Sequence, residues 1–376
     1  MNKKYIILTC IIAVVTFIIG YFIGDASAVN RVNKRIDQNV KSVTNDNIKT
    51  TSNQEDKPDS SKEKVYKLGE EGKSGNWSIK VLDAKEATTI DGTMYAAARD
   101  VTPKVMYINT KMFEDAGVKI PEDTWTIDDF LEAAQQLTKG SGADKQWGYY
   151  WANYADQTYA LIAAFGGNMY SEDGTTSVFS SDPKTQEAMK FMYDLYNTYK
   201  VCPSGVEAKQ FGDKEMAAFM ANKVAMQIGG LSQAGNLAAT GVEFTALPIP
   251  YLDGVSQTSS FVNTWVIPNK AKNPEASWKV VEFLSGKEGQ QIALDTNMGL
   301  PASKDVDTTG FINAAPYNKY FVQALETAVP YPTHANAAAF QTMFVKECEY
   351  LWAGEYSLEE FANTVDEQSK SLLKAD

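Results

Sequence analysis

The chain has 376 residues, room for two or three domains, and its 44% hydrophobic content is ordinary for packed cores. A formal net charge of −12, with no Lys/Arg-rich run, excludes a nucleic-acid binder, because nothing would neutralise a phosphate backbone. Three cysteines without metal-ligand spacing and one histidine exclude a Cys/His metal centre, and no cofactor motif is present.

Asn2-Lys3-Lys4 precedes an uncharged, predominantly apolar run over residues 5–23. As a helix that run is about 29 Å long, close to the ~30 Å hydrocarbon core of a bilayer. The lysines place the N-terminus inside the cell and the remainder outside. Ala26-Ser27-Ala28 offers a signal-peptidase site, and the length of the run favours a retained membrane anchor over residues 1–28. Cys10 lies too early in the run to accept a lipid. Residues 29–64 are polar, mixed in charge and poor in aromatics, the composition of a flexible tether. Residues 65–90 follow as a short β fragment, in which Val65-Tyr66-Lys67-Leu68 and Trp77-Ser78-Ile79-Lys80-Val81 alternate apolar and polar around Gly72 and Gly75, as a hairpin does.

The body alternates strands with helices. Residues 105–109 are β-prone, and residues 111–116 are helical up to Gly117. Thr126 and Asp129 form a capping box for a helix with Ile127, Phe130, Leu131, Ala134 and Leu137 on one face. Residues 147–151 read as an aromatic strand and Asp173-Gly174 as a hairpin turn. Asp182-Pro183 opens a helix reaching about residue 200, with Phe191, Leu195 and Tyr199 as its stripe. Residues 224–228 form a buried strand ending at Gly229-Gly230; Asn273-Pro274 opens a helix that stops at Gly286. Long helices occupy residues 335–353 and 357–374, the second capped by Ser357 and Glu360. The alternation predicts an α/β fold with mostly parallel sheets. Cys202 and Cys348 leave open a disulfide or buried free thiols; Cys348 shares an apolar helix face with Phe344 and Leu351, which favours the second.

Asp91-Gly92-Thr93-Met94-Tyr95-Ala96 with Arg99-Asp100, then Met106-Tyr107-Ile108-Asn109 and Met112-Phe113-Glu114-Asp115-Ala116-Gly117, resembles the hinge-crossing segment of the family-1 extracellular solute-binding proteins that serve carbohydrate ABC importers. Thr124-Trp125-Thr126-Ile127-Asp128-Asp129-Phe130, the run Phe219 through Met226 with Gly229-Gly230, Asn273-Pro274-Glu275-Ala276-Ser277-Trp278 and Gly299-Leu300-Pro301-Ala302 continue that resemblance in the family's order. It implies a two-lobed periplasmic-binding-protein type II-like fold over residues 91–376, with the sugar between the lobes. The second lobe is expected over about 110–243 and 303–376, and a first-lobe remnant over about 91–109 and 244–302. In the family roughly a hundred residues precede the Asp91-like segment. Here that space holds the anchor, the tether and a fragment resembling an immunoglobulin-like accessory domain of membrane-anchored Gram-positive proteins. The first lobe is therefore expected to be incomplete and sugar binding weakened.

Sugar recognition needs flat apolar surfaces for the ring and directional partners for hydroxyls. Among the crowded aromatics, Tyr150, Trp151 and Tyr154 are candidates, the last two because loop ends face clefts. Gly229 and Gly230 admit close backbone approach, or serve only a tight turn. Asn263 and Trp265 share a strand face, and family position places Tyr331 and His334 at the cleft. Arg99 and Asp100 bond hydroxyls as a pair or form a structural hinge ion pair. Trp125 and Trp278 read as core. The implied activity is non-enzymatic capture of a small carbohydrate by a monomer held at the outer membrane face by its N-terminal helix, for delivery to ABC permease subunits. A tethered, non-transporting remnant or interaction module is the alternative, and a glycoside hydrolase is disfavoured because no motif places two carboxylates at the site.

Overall fold

The computed structural model describes residues 88–90, 93–150, 154–211, 216–332 and 336–373. The anchor, the tether and most of the β fragment therefore lie outside the described residues. Among the described residues no helix is long and apolar enough to cross a membrane.

A two-stranded ladder, β1 (Thr89–Ile90) with β2 (Thr93–Met94), leads into β3 (Ala97–Pro103). One residue, Lys104, separates β3 from β4 (Val105–Asn109), whose five residues are all buried. Asn109 caps α1 (Thr110–Ala116) by accepting from the Met112 N–H, and Gly117 ends it at φ 66°, a left-handed conformation natural to glycine. Helix α2 (Ile127–Leu137) carries the expected Thr126/Asp129 capping box and buries Ile127, Phe130, Ala133, Ala134 and Leu137. Strand β5 (Trp147–Tyr149) and the buried helix α3 (Ala155–Ala164) follow. Helix α4 (Pro183–Asn197) is capped by Asp182; it ends before Tyr199, which is 37% exposed, so the buried stripe runs through Ala188, Met192 and Leu195 instead.

Short helices α5 (Gly205–Lys209) and α6 (Ala217–Met220) precede β6 (Val224–Gly229), α7 (Leu231–Thr240) and β7 (Phe244–Leu247). The chain returns through β8 (Thr258–Trp265) to α8 (Pro274–Ser285) and α9 (Lys287–Asp295). It then adds α10 (Thr309–Ala314), α11 (Asn318–Ala324), β9 (Ala328–Pro330), α12 (Ala337–Trp352) and α13 (Leu358–Ser369), the last with its Ser357/Glu360 capping box.

The strands form a four-stranded sheet ordered β5-β6-β4-β7 and a three-stranded sheet ordered β3-β8-β9. Both are mixed, which corrects the expectation of mostly parallel sheets: β4 is antiparallel to β6 and β7, and β3 to β8, whereas β5–β6 and β8–β9 are parallel. The cause is that β4 enters its sheet directly from β3 and runs against the strands that helices deliver. β4 and β7 belong to the four-stranded sheet, so the sheets divide at Lys104 and between β7 and β8 instead of near residues 109 and 244.

The largest core lies around the four-stranded sheet and is dense in aromatics; Phe179 packs on Phe344 and Phe361 at 5.1 and 5.8 Å between centroids. Cys202 and Cys348 are buried there as free thiols, and burial pushes both well up from the ordinary thiol range. A second core crosses the junction between the sheets, joining Val101, Leu294 and Leu300 to Val105, Tyr107 and Leu231. The third, beneath α8, has only Ala97, Ala98, Val281 and Ala302 fully enclosed; Trp278 is half-buried beside them, whereas Trp125 is core as expected.

Local opening follows buried apolar contact, so α8 should open before α4. Native-state hydrogen exchange should find α8 amides exchanging at least about ten-fold faster than those of α4, and equal protection would contradict this ordering.

Candidate functional site

The chain crosses between its sheets at Lys104, and the crossing is tied by its backbone. The Lys104 N–H donates to the Ser259 carbonyl at 3.1 Å, and the Thr258 hydroxyl donates to the Lys104 carbonyl at 3.0 Å. The lysine side chain is only 8% exposed. Its ammonium pairs with Asp156, in the first turn of α3, at 2.5 Å and lies 5.6 Å from the centre of the Phe261 ring. Phe261 stacks on Tyr331 at 4.5 Å with 23° between the planes, and Tyr331 meets Tyr159 edge-on at 5.4 Å.

Of these groups, Asp156, Phe261 and Tyr331 line a cavity of about 440 Å³ whose walls also include Tyr154, Gln341 and Val345. Tyr154 sits at the N-cap of α3 and is 42% exposed at the cavity wall. Burial pushes the Tyr331 hydroxyl far above the usual phenol range, with Gln341 hydrogen-bonded to it. The cavity thus offers stacked aromatic surface beside an ion pair and an amide, the combination that receives a ring with apolar faces and a hydroxylated edge.

A polar ribbon continues along the crossing strands. A bulge in β3 shifts the register between Ala98 and Asp100, at Arg99. Asp100 is fully buried and accepts from Arg99 Nε at 2.5 Å, Asn263 Nδ2 at 2.6 Å and Thr102 Oγ1 at 3.2 Å. The Arg99 guanidinium, on a 30% exposed side chain, lies 5.6 Å from the centre of the Trp265 ring. Thr102 is the cross-strand partner of Phe261, so ribbon and cavity adjoin.

Of the residues expected at the site, Tyr154 and Tyr331 meet at the cavity; Arg99, Asp100, Asn263 and Trp265 meet along the ribbon. Tyr150 is half-buried against the Trp147 cluster, and Trp151 and His334 lie outside the described residues. Gly229 and Gly230 are both buried, and neither has a positive φ. A Cβ at Gly229 would come within 2.9 Å of the Tyr107 ring, and one at Gly230 within 2.6 Å of the Thr102 methyl. Their smallness therefore accommodates the chain's own side chains. Sequence reasoning missed Lys104, Asp156 and Phe261. Phe261 was within reach, since it lies two residues before Asn263 on the same strand face.

A larger groove of about 620 Å³ separates α4 from α13. It shares no residue with the cavity or the ribbon and has no comparable stacked pair with a buried ion pair, so the junction cavity is the better candidate.

Residues 35–319 match the sequence profile described as bacterial extracellular solute-binding protein. The chain belongs to that family. Two relatives are the maltodextrin-binding protein of Bacillus subtilis (strain 168), 22% identical over 73% of this chain, and a maltooligosaccharide ABC transporter solute-binding lipoprotein of Streptococcus pneumoniae serotype 4, 24% identical over 65% of it. The chain spans 63% and 58% of the lengths of these two. Among solved structures, an ABC substrate-binding protein from Listeria monocytogenes in complex with cycloalternan superposes with a TM-score of 0.69 at 22% identity, covering 77% of this chain and 74% of that one. A cyclic α-maltosyl-1,6-maltose binding protein from Arthrobacter globiformis gives 0.64 at 20% identity, covering 78% and 76%. These structural likenesses show the two-lobed solute-binding fold.

Burial pushes the Tyr150 and Tyr159 phenols up from 10.0 to about 12. An unfolded chain loses these protons near 10, before the folded one does, so stability present below pH 10 is lost as pH rises through about 10 to 12. Urea unfolding across that window should show falling stability, with a shallower fall in Tyr159→Phe; an unchanged slope in that variant would contradict the assignment.

Proposed function

We propose that this solute-binding protein captures a gluco-oligosaccharide outside the cell, at the junction cavity, and presents it to the permease of an ABC importer. The carrying observation is the Phe261–Tyr331 stack beside the Lys104–Asp156 ion pair, where the chain crosses between its sheets. The stack supplies a platform for a pyranose face. The ion pair supplies donors and an acceptor for hydroxyls, and the Arg99–Asp100–Asn263 ribbon extends hydroxyl partners along the crossing strands. The names of the maltodextrin- and maltooligosaccharide-binding relatives support this ligand class. Capture biases an open–closed equilibrium only as far as the ligand prefers the closed form; hinge closure in periplasmic binding proteins is a standard instance. The apolar run over residues 5–23 supports tethering of the same chain to the outer membrane face.

The cavity also argues against glycoside hydrolysis. Asp156 is the sole carboxylate among the described residues lining it and is paired with Lys104, whereas that chemistry uses two carboxylates flanking the bond.

Isothermal titration with maltotriose tests the assignment. Tyr154→Ala, at an exposed position, should weaken binding by roughly ten-fold, the equivalent of about 1.4 kcal/mol, without lowering Tm. Unchanged affinity in that variant, or no binding by the parent chain to any of a panel of gluco-oligosaccharides, would overturn the proposal.

A further inference from the structure

One face of β8 continues past the cavity. The bulge lies in β3, so β8 alternates regularly and puts Phe261, Asn263 and Trp265 on one face, the face on which Phe261 stacks against Tyr331. All three are half-buried, as are Thr102 and Arg99 on β3, whereas Asp100 is enclosed. From Phe261 the strand advances about 7 Å to Asn263 and about 13 Å to Trp265.

Arg99 is the extra residue of the bulge, and its guanidinium lies over the Trp265 ring at 5.6 Å. Asp100 engages its Nε, which fixes the plane of the group. Among the described residues, nothing bonds the Arg99 terminal nitrogens. Nothing donates to the side-chain carbonyl of Asn263 either, whose amide nitrogen is held by Asp100. The Trp265 indole N–H is buried without a partner. An unpaired buried donor opposes stability, so what Trp265 contributes is its ring, and the charge against that ring is Arg99. The site is electrically balanced, with Asp100 against Arg99 and Asp156 against Lys104. An anionic ligand would meet those carboxylates, whereas a neutral polyol finds paired N–H donors at Arg99 and an acceptor at Asn263.

We propose that Arg99, backed by Trp265, forms a terminal subsite that binds adjacent hydroxyls on the third ring of a linear oligosaccharide, giving the protein a preference for ligands of at least three sugar units. This rests on the junction cavity seating the first ring. With bonds of about 1.5 Å, successive pyranoses in a chain are roughly 5 Å apart. A chain that starts on the Phe261–Tyr331 stack and follows β8 therefore has its second ring near Thr102 and Asn263. Its third lies about 10 Å from the stack, at the Arg99 fork. A disaccharide ends short of it.

Isothermal titration of the full chain with maltose and maltotriose tests this. The parent should bind maltotriose at least about ten-fold more tightly than maltose, the scale of a hydrogen bond to a charged group. Arg99→Lys keeps a cation beside Asp100 without the fork, and Trp265→Leu keeps all three Asp100 partners without the ring. Each should reduce that ratio to below about three. Tyr154→Ala, at the cavity wall, should weaken both sugars and leave the ratio standing. The proposal is overturned if the parent binds the two sugars equally, or if the ratio survives in both Arg99→Lys and Trp265→Leu. Binding of neither sugar by the parent would overturn the cavity reading itself, and the subsite with it.

Discussion

A lysine with almost no exposure forms the one-residue link between β3 and β4, where the chain first passes from one sheet to the other, and its charge must be neutralised where it stands. Asp156 does so, which fixes the first turn of α3 against the crossing strands. Removing one partner of a buried pair leaves an uncompensated charge, typically costing about 3–5 kcal/mol, whereas the net value of the pair against an apolar replacement is small. The pair is thus better understood as a positional constraint than as a source of stability. It brings Tyr154, at the cap of that helix, to the same place as Phe261 and Tyr331 from the crossing strands.

The same junction carries a second buried charge. Asp100 is held by three donors from two strands, and Gly299 leaves room for it: a Cβ there would come within 2.5 Å of the Asp100 carboxyl carbon. Because Asn263 and Thr102 come from opposite strands, the carboxylate sets the β3–β8 register as well as orienting Arg99. The core that continues from Val101 to Tyr107 and Leu231 packs across the junction, so relative motion of the sheets has to repack it. On the proposed function, ligand closure would draw on that packed junction and not on a loose linker.

Much of the helical framework was legible because its signals are local. Thr126 with Asp129, Ser357 with Glu360, Asp182-Pro183, Asn273-Pro274 and Gly117 each specify a helix end through hydrogen bonds within a few residues, and all appear where the sequence places them. Strand direction was not legible in this way: the reversal of β4 depends on its direct entry from β3 through Lys104. The site divided similarly. Tyr154, Tyr331, Asn263, Trp265 and the Arg99–Asp100 pair carry aromatic or hydrogen-bonding signals readable one by one. Lys104 and Asp156 do not, since they acquire meaning only when residues 52 positions apart in sequence meet at 2.5 Å. Gly229 and Gly230 pointed to close approach correctly, but the approaching groups are Tyr107 and Thr102.

The junction cavity as a carbohydrate site is the central claim, and a crystal structure of the full chain grown with maltotriose tests it most directly. The account predicts a pyranose ring lying against Phe261 and Tyr331, with hydroxyls within hydrogen-bond distance of Asp156 or Lys104. Maltotriose seated instead in the groove between α4 and α13, or a junction cavity that stays empty at saturating sugar, would contradict it.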